Sequence, residues 1–88
     1  MDYYGYTFRR LRVRKNLTLE YVSKGITSVS FLSKFERGDS DISISNIIGL
    51  LDRLNVTLSE FLFIHNGYQK KGFQQLLTLV KESYVKKI

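Results

Sequence analysis

Between Gly25 and Gly38 the chain carries hydroxyl and basic side chains at helical spacing. On a period of 3.6 residues, one side of a helix over residues 28–37 collects five residues with no acid and no aromatic ring among them, namely Val29, Ser30, Ser33, Lys34 and Arg37. Hydroxyl and ammonium groups can hydrogen-bond to base edges, and a valine can contact a thymine methyl group. The chemistry that these residues predict is recognition of bases in a DNA groove.

The opposite side of this helix supplies the contacts that would hold it to a core. Ser28 is placed to cap its first turn, and Leu32 and Phe35 are the apolar residues that face inward. Phe31 lies at the edge between the two sides, so it either packs on the preceding helix or abuts the DNA backbone. We expect packing, because aromatic side chains are usually buried. Two short helices joined by a tight turn, with the second polar outside, are typical of proteins that place a helix in the major groove.

Caps and apolar spacing predict the remaining elements. The predicted helices cover residues 3–15, residues 19–24 after a Thr18 cap, residues 28–37, residues 44–54 after a Ser43 cap, and a short fifth helix through Phe61 and Leu62 that begins with the capping box Thr57–Glu60. On the fourth helix the apolar residues recur at helical spacing, so this helix is expected at the centre of the core; they are Ile44, Ile47, Ile48, Leu51 and Leu54. The fold class is therefore predicted to be all-α.

The C-terminal part of the chain is predicted to be a hinge and one more helix. Residues 65–72 contain two glycines and two lysines, a composition typical of a hinge that ends a domain at 1–64. Residues 73–88 then form an amphipathic helix with an apolar stripe made of Phe73, Leu76, Leu77, Val80 and Tyr84. An apolar stripe of this length has to be buried against another surface. Three alternatives follow: it packs on the first domain, it pairs with another chain, or it begins a further domain.

The net charge of +6 is unevenly distributed along the chain. Residues 1–37 hold eight lysines and arginines against three acids, residues 38–68 hold one arginine against four acids, and residues 69–88 hold five lysines against one acid. The positive charge therefore flanks the predicted groove-reading helix, where contacts with DNA phosphates would be needed. A basic surface that merely keeps the chain in solution is the alternative explanation.

Catalysis and metal binding find little support in the sequence. The single histidine, His65, comes after an apolar run, the chain has no cysteine, and Gly67 and Gly72 do not form a phosphate-binding loop. We therefore predict that the protein is not an enzyme and has no cofactor or metal site. The absence of cysteine, of a signal-peptide pattern and of an apolar run long enough to span a membrane predicts a cytoplasmic protein.

Five stretches of the sequence, in this order, resemble the XRE-type (lambda-repressor-like) helix-turn-helix family. They are Phe8–Arg12, Asn16–Leu19, Leu32–Gly38, Asp41–Ile44 and Leu51–Val56, and the resemblance covers about residues 5–64. More narrowly, the chain is similar to the N-terminal DNA-binding domain of Rgg/GadR/MutR-type transcriptional regulators. The resemblance implies a five-helix lambda-repressor-like domain followed by a C-terminal linker helix.

The resemblance also implies roles for individual residues. The family's base-reading positions fall on Val29, Ser30, Ser33 and Lys34, and a lysine can donate to guanine O6 and N7. In this family the arginine matching Arg12 pairs with the acid matching Glu36, which would tie the first helix to the end of the third.

Three residues are candidates for contacts with DNA phosphates. Thr18 and Ser28 begin helices and can offer hydroxyl and amide groups to a phosphate, although plain helix capping explains each of them equally well. Arg37 is the better candidate. Arg9, Arg10 and Arg14 either contribute to the same contacts or form a solvated basic face.

These features predict the reader domain of a bacterial transcriptional regulator, which binds double-stranded DNA in a sequence-specific manner with residues 28–37 in the major groove. The resemblance adds a homodimer and a peptide-sensing C-terminal domain that is absent from this chain. The alternative is a small helical protein-interaction module that acts through the apolar stripe at 73–84. Membrane-surface binding by the same helix is a third explanation, but its lysines lie at its ends rather than along one polar face.

Overall fold

The computed structural model describes residues 3–68, and these residues form five α-helices with no β-strand among them. The helices are α1 (Tyr4–Arg14), α2 (Leu19–Ser23), α3 (Val29–Glu36), α4 (Ile44–Arg53) and α5 (Leu58–Tyr68). The prediction of an all-α, five-helix fold is confirmed. The linker helix predicted over residues 73–88 and its apolar stripe lie outside the described residues, so neither the dimer nor the docking role predicted for that stripe is tested.

Side-chain caps begin the middle helices where the sequence places them. In α2, α3 and α4 the hydroxyl oxygen of the capping residue accepts a hydrogen bond from the backbone N–H three residues further on, at 3.0 Å for Thr18, 3.0 Å for Ser28 and 3.2 Å for Ser43. At α5 the Glu60 N–H donates to Thr57 Oγ1 at 3.1 Å and the Thr57 N–H donates to Glu60 Oε1 at 2.9 Å. This reciprocal capping box satisfies two amides that a helix start leaves without partners.

Residues in the left-handed region end four of the helices. Asn16 after α1 and Asn55 after α4 have φ angles of 59° and 58°, and Gly25 after α2 and Gly38 after α3 have φ angles of 79° and 83°. Glycine enters this region without steric cost, and asparagine enters it more easily than other side chains. After each asparagine the chain continues with one apolar residue and a capping threonine. The same short sequence therefore builds both the α1–α2 turn and the α4–α5 turn.

The five helices enclose one apolar core. Helix α1 packs against α3 and α5, α2 packs against α3 and α4, and α4 packs against α5. The rings of Phe8 and Phe35 meet edge to face at a centroid distance of 6.0 Å, which joins α1 to α3 at the centre of the core. The buried apolar residues are Phe8, Leu11, Val22, Leu32, Phe35, Ile47, Leu50, Leu51, Leu54 and Phe61.

The core face of α4 differs from the predicted apolar stripe. Ile44 is 68% exposed and Ile48 is 48% exposed, whereas Leu50, which the predicted stripe omitted, is fully buried. The prediction was wrong at these positions because the helix carries apolar side chains on more than one face, and helical spacing alone does not say which of these faces meets its neighbours. Contacts with α2 and α5 select the face that is buried.

Helix α5 is longer than predicted and continues through Tyr68, four residues into the segment predicted as a hinge. His65 is buried, and its Nδ1 shares a hydrogen bond of 2.7 Å with Thr7 Oγ1 on α1. The His65 ring also lies 4.5 Å from the ring of Tyr4, measured between centroids. The start of the predicted hinge is therefore a packed part of the domain, and the rest of that segment, residues 69–72, lies outside the described residues.

Candidate nucleic-acid interface

Helix α3 places the predicted base-reading residues on its solvent side. Ser30 and Lys34 are exposed, Val29 is 36% exposed and Ser33 is half-buried. On the opposite side, Leu32 is fully buried and anchors the helix to the core. With its side chains an α-helix is about 10–12 Å across, which is comparable with the width of a B-DNA major groove, about 12 Å.

A buried ion pair holds the C-terminal end of α3 against α1. Arg12 Nε donates to Glu36 Oε2 at 2.7 Å and Arg12 Nη2 donates to Glu36 Oε1 at 2.9 Å, so the contact is bidentate. Arg12 Nη1 also donates to the carbonyl of Leu17 at 2.7 Å, which fixes the turn that leads into α2. The hydrogen bonds to Glu36 raise the pKa of Arg12 above its ordinary value, although burial acts in the opposite direction. Because both partners are buried, this contact links α1, α2 and α3 without using a group on the outward face of α3.

The close approach of α1 and α3 depends on a glycine. A Cβ atom at Gly5 would overlap the carbonyl group of Phe35, and that carbonyl belongs to backbone that cannot move aside easily. Glycine therefore allows the two helix backbones to come into contact near the N-terminus of α1. Phe31 is half-buried, in agreement with its predicted position at the edge between the core and the outward face.

Arg37, which lies directly after α3, is exposed but already engaged. Its Nη1 donates to Ser33 Oγ at 2.7 Å and its Nε donates to Asp39 Oδ2 at 3.2 Å. The structure therefore joins a predicted phosphate-binding residue to a predicted base-reading residue one helical turn earlier. Their spacing in the sequence permits this contact, but the prediction gave the two residues different roles.

Thr18 and Ser28 both act as N-caps in the structure. In each cap the hydroxyl oxygen accepts one hydrogen bond from a backbone N–H. A hydroxyl that accepts a hydrogen bond still has its own hydrogen to donate. Both hydroxyls are on exposed residues, so capping and donation to a phosphate are compatible at each position.

The residue that fixes the turn between α2 and α3 was not predicted from the sequence. Arg53, at the end of α4, donates from Nη1 to the Tyr21 carbonyl at 2.9 Å and to the Val22 carbonyl at 3.4 Å, and from Nη2 to the Lys24 carbonyl at 2.7 Å. These carbonyls belong to the end of α2, which has no basic residue of its own in its last turn. The guanidinium thus satisfies carbonyls that a helix end leaves unpaired. The available signal was that Arg53 is the one basic residue, lysine or arginine, in the acidic segment 38–68.

A polar cleft opens beside the base-reading face. It lies between α1 and the C-terminal half of α3, above the Arg12–Glu36 ion pair, and has a volume of 680 Å³. The remaining residues that line it are Tyr3, Tyr6, Arg9, Leu19, Ser33 and Arg37. Because Arg9 and Arg37 line it in addition to the ion pair, the cleft is basic and of the kind that accepts an anion.

Metal-binding clusters and membrane-spanning helices are both absent from residues 3–68. No group of three or more histidine, aspartate or glutamate side chains in this part of the chain lies close enough to hold a metal ion. In the same residues no helix is long and apolar enough to cross a membrane.

A short helix that leads through a turn at residues 24–28 into a second helix with an exposed polar face, all held on a small helical core, defines a helix-turn-helix domain. Residues 8–61, well over half of the chain, match the family model described as Helix-turn-helix. The chain belongs to the XRE-type helix-turn-helix family, whose members are DNA-binding domains of transcriptional regulators.

The solved structures that are similar to this chain include a pheromone receptor and a gene regulator. The SHP pheromone receptor Rgg2 of Streptococcus dysgalactiae has 38% sequence identity and a TM-score of 0.68, and the match covers 96% of this chain and 29% of the receptor. The clp gene regulator ClgR of Corynebacterium glutamicum has 21% identity and a TM-score of 0.72, covering 93% of this chain and 90% of the regulator. The likeness to ClgR shows the fold alone. The likeness to Rgg2 supports the predicted resemblance to Rgg-type regulators, and this chain spans less than a third of that receptor's length.

Proposed function

We propose that this chain is the sequence-specific reader of double-stranded DNA in a bacterial transcriptional regulator, with α3 in the major groove. The observation that carries the proposal is the presentation of α3, whose outward face is polar and exposed while its inner face and its C-terminal end are fixed to the core. A rigid helix with polar side chains on one face can meet base edges without first ordering itself, which lowers the entropic cost of binding.

Four side chains on this face are proposed to contact bases. Lys34 is exposed and donates to guanine O6 and N7, and Ser30 offers a hydroxyl that donates or accepts. Val29 contributes an apolar contact with a thymine methyl group. Ser33 is more restricted because its oxygen already accepts a hydrogen bond from Arg37. Since one of its two acceptor positions is occupied, the proposed contact is donation from its hydroxyl to an acceptor such as guanine O6 or thymine O4.

Thr18, Ser28 and Arg37 are proposed to contact the phosphate backbone. The two hydroxyls donate to phosphate oxygens while they continue to cap their helices, so the contact costs no helix stability. Arg37 supplies a charged donor at the other end of α3. Phosphate contacts near both ends of a helix set its angle in the groove, which is a condition for reading successive base pairs.

The relation to a pheromone receptor extends the proposal beyond this chain. We infer that this domain works in the cytoplasm as part of a homodimer, with a peptide-sensing domain on its C-terminal side. The support for the sensing domain is the 38% identity with a pheromone receptor of which this chain corresponds to 29%, whereas the homodimer rests on the family resemblance alone. Two copies would read two half-sites about one helical turn apart.

Selection of bound duplexes from a random DNA pool tests this function. The expected result is enrichment of one short sequence motif, arranged as an inverted pair if the chain dimerises on DNA. Recovery of unrelated sequences after repeated rounds of selection would contradict the proposal. A variant with Lys34→Ala is the matched control, because it should enrich a motif that has lost its preference at one or two positions.

A further inference from the structure

The cleft between α1 and α3 has an electrostatic character that favours an anion. Glu36 is the one carboxylate among its described lining residues, and this carboxylate is already paired with Arg12 on both oxygens. The floor of the cleft is therefore a neutral ion pair rather than a negative group. Among the other lining residues, Arg9 is exposed and makes no hydrogen bond or ion pair with the described residues.

Tyr6 also lines the cleft, and its hydroxyl group has a cationic neighbour. Arg10 Nη1 donates to the Tyr6 hydroxyl oxygen at 3.2 Å, and the Arg10 guanidinium lies 5.6 Å from the centre of the Tyr6 ring. Because the oxygen accepts from a cation, its own hydrogen remains to be donated, and the nearby positive charge strengthens that donation. The cleft thus offers a neutral donor beside two charged ones.

The second charged donor, Arg37, is held by an acid that an incoming anion could replace. Its ion pair with Asp39 joins two side chains that are 57% and 60% exposed, at an Nε to Oδ2 distance of 3.2 Å. Exposed pairs of this kind contribute little free energy. The Ser33 contact uses Nη1 alone, so the Nε and Nη2 edge of the guanidinium becomes free for a bidentate contact when Asp39 leaves.

We propose that this cleft binds a backbone phosphate of duplex DNA through Arg9, Arg37 and the Tyr6 hydroxyl, and that Asp39 competes with the phosphate for Arg37. The inference rests on the proposed function, because Ser33 lies both on the base-reading face and in the wall of the cleft. A duplex whose base edge meets Ser33 brings the flanking phosphate to the cleft. Asp39 is then a built-in competitor that keeps affinity for arbitrary DNA low.

The salt dependence of binding to a duplex of arbitrary sequence, about two helical turns long, tests the cleft. Each phosphate contact contributes about 0.9 to the slope of log affinity against log salt concentration. Arg9→Ala and Arg37→Ala should each lower the magnitude of this slope by about one. Lys15→Ala is the matched control: it removes the same charge from an exposed residue directly after α1 that does not line the cleft, and the slope should change less.

Neutralising Asp39 tests whether it competes with the phosphate, and neutralising the nearby Asp41 serves as the control. Asp39→Asn should tighten binding to the same duplex about two- to fivefold, the effect of removing an exposed ion pair from the free protein. Asp41→Asn makes the same change of net charge at an exposed residue outside the cleft and should tighten binding less. Equal affinities of the two variants for the duplex would show that Asp39 does not compete with the phosphate.

Failure of the cleft and failure of the proposed function give different results. If Arg9→Ala and Arg37→Ala match Lys15→Ala in slope while the wild-type protein still prefers one sequence, the cleft assignment is wrong and the DNA-reading function stands. If the wild-type protein shows no sequence preference, the proposed function is wrong whatever the slopes are. Circular dichroism of each variant verifies that these exposed substitutions leave the helices intact.

Discussion

The polar side chains of α3 are restrained by intramolecular contacts before they meet a ligand. Ser33 is held by Arg37, and Arg37 is held in turn by Asp39. Such contacts reduce the number of conformations available to the reading face, so fewer side chains have to be ordered on binding. They also assign a direction to the Ser33 hydroxyl, which can donate to a base but has one acceptor site already occupied.

Lys34 has the most specific chemistry on this face. Replacing Lys34 with Ala should reduce discrimination at one or two base pairs by about 1–3 kcal/mol, because a donor to guanine O6 and N7 is lost. The measurement is a set of dissociation constants for duplexes that carry each single base-pair change in the selected motif. An equal loss of affinity at every position, as expected for a phosphate contact, would contradict the assignment.

Arg12 is expected to act through stability. Arg12→Ala should lower the free energy of unfolding by about 3–5 kcal/mol, since it leaves the buried Glu36 carboxylate without its partner. Thermal and urea denaturation measure the effect. Replacing both partners together, as Arg12→Met with Glu36→Leu, should restore much of the loss because no unpaired charge remains buried. An unchanged melting temperature for the single variant would show that the pair has no structural role.

At the scale of elements, the capping box at the start of α5 makes stability depend on pH. Hydrogen bonding from the backbone of Thr57 lowers the pKa of Glu60 below its ordinary value of 4.5. A lowered pKa in the folded state means that the stabilising contact is fully present above the unfolded-state pKa and is lost as the pH falls through the folded pKa. Glutamine can make the same cap without titrating. Glu60→Gln should therefore show a smaller loss of stability between neutral and acidic pH than the wild type, and denaturation curves with an identical pH dependence would contradict this explanation.

The turn between α2 and α3 is expected to depend on Arg53. Lysine at this position keeps the charge but cannot reach several carbonyls with one planar group, so Arg53→Lys should lower the free energy of unfolding by about 1–2 kcal/mol. It should also speed hydrogen exchange at the amides of Ile26 and Thr27, which donate to the Ser23 carbonyl within this turn. Arg14→Lys is the control at an exposed site. Unchanged exchange at both amides would show that Arg53 does not fix this turn.

Local chemistry explains which elements could be predicted from the sequence. A capping hydroxyl, a capping box and a residue that tolerates positive φ act within a few positions, so Thr18, Ser28 and Gly25 could be assigned correctly. Contacts between distant elements leave no such local pattern. The exposure of Ile44 and the burial of His65 depend on which helices pack together. Gly67 favoured a hinge, but α5 accommodates it because packing of the helix outweighs the cost of one glycine.

In the candidate site, too, some features could be predicted from the sequence and others depend on tertiary contacts. The resemblance to a family linked Arg12 to Glu36, and the structure shows these two side chains in contact. The resemblance could not reveal that Arg37 donates hydrogen bonds to Ser33 and Asp39, because the conformation of a surface side chain is set by its neighbours in space. Nor could it reveal the cleft, which α1 and α3 form together. The residue types were therefore predictable, whereas their arrangement required the tertiary structure.

At the scale of the whole molecule, most of the domain's positive charge lies in the same half of the domain as α3, the proposed base-reading helix. The positive charge of the domain lies mainly in residues 1–37, which include α3, and the acidic segment 38–68 forms the other two helices, α4 and α5. This asymmetry should orient the domain toward DNA during encounter. A single helix with one lysine and two serines reads few base pairs, so we expect modest affinity from one copy and useful specificity from two.

Reading of base sequence by α3 and mere binding of a polyanion differ in one measurable quantity. This quantity is the ratio of dissociation constants for the selected duplex and a scrambled duplex of equal length, measured at two salt concentrations. We predict that both affinities weaken as salt rises, while the selected duplex stays bound clearly more tightly, because base contacts release few counterions. A ratio near one at both salt concentrations would show that α3 does not read sequence.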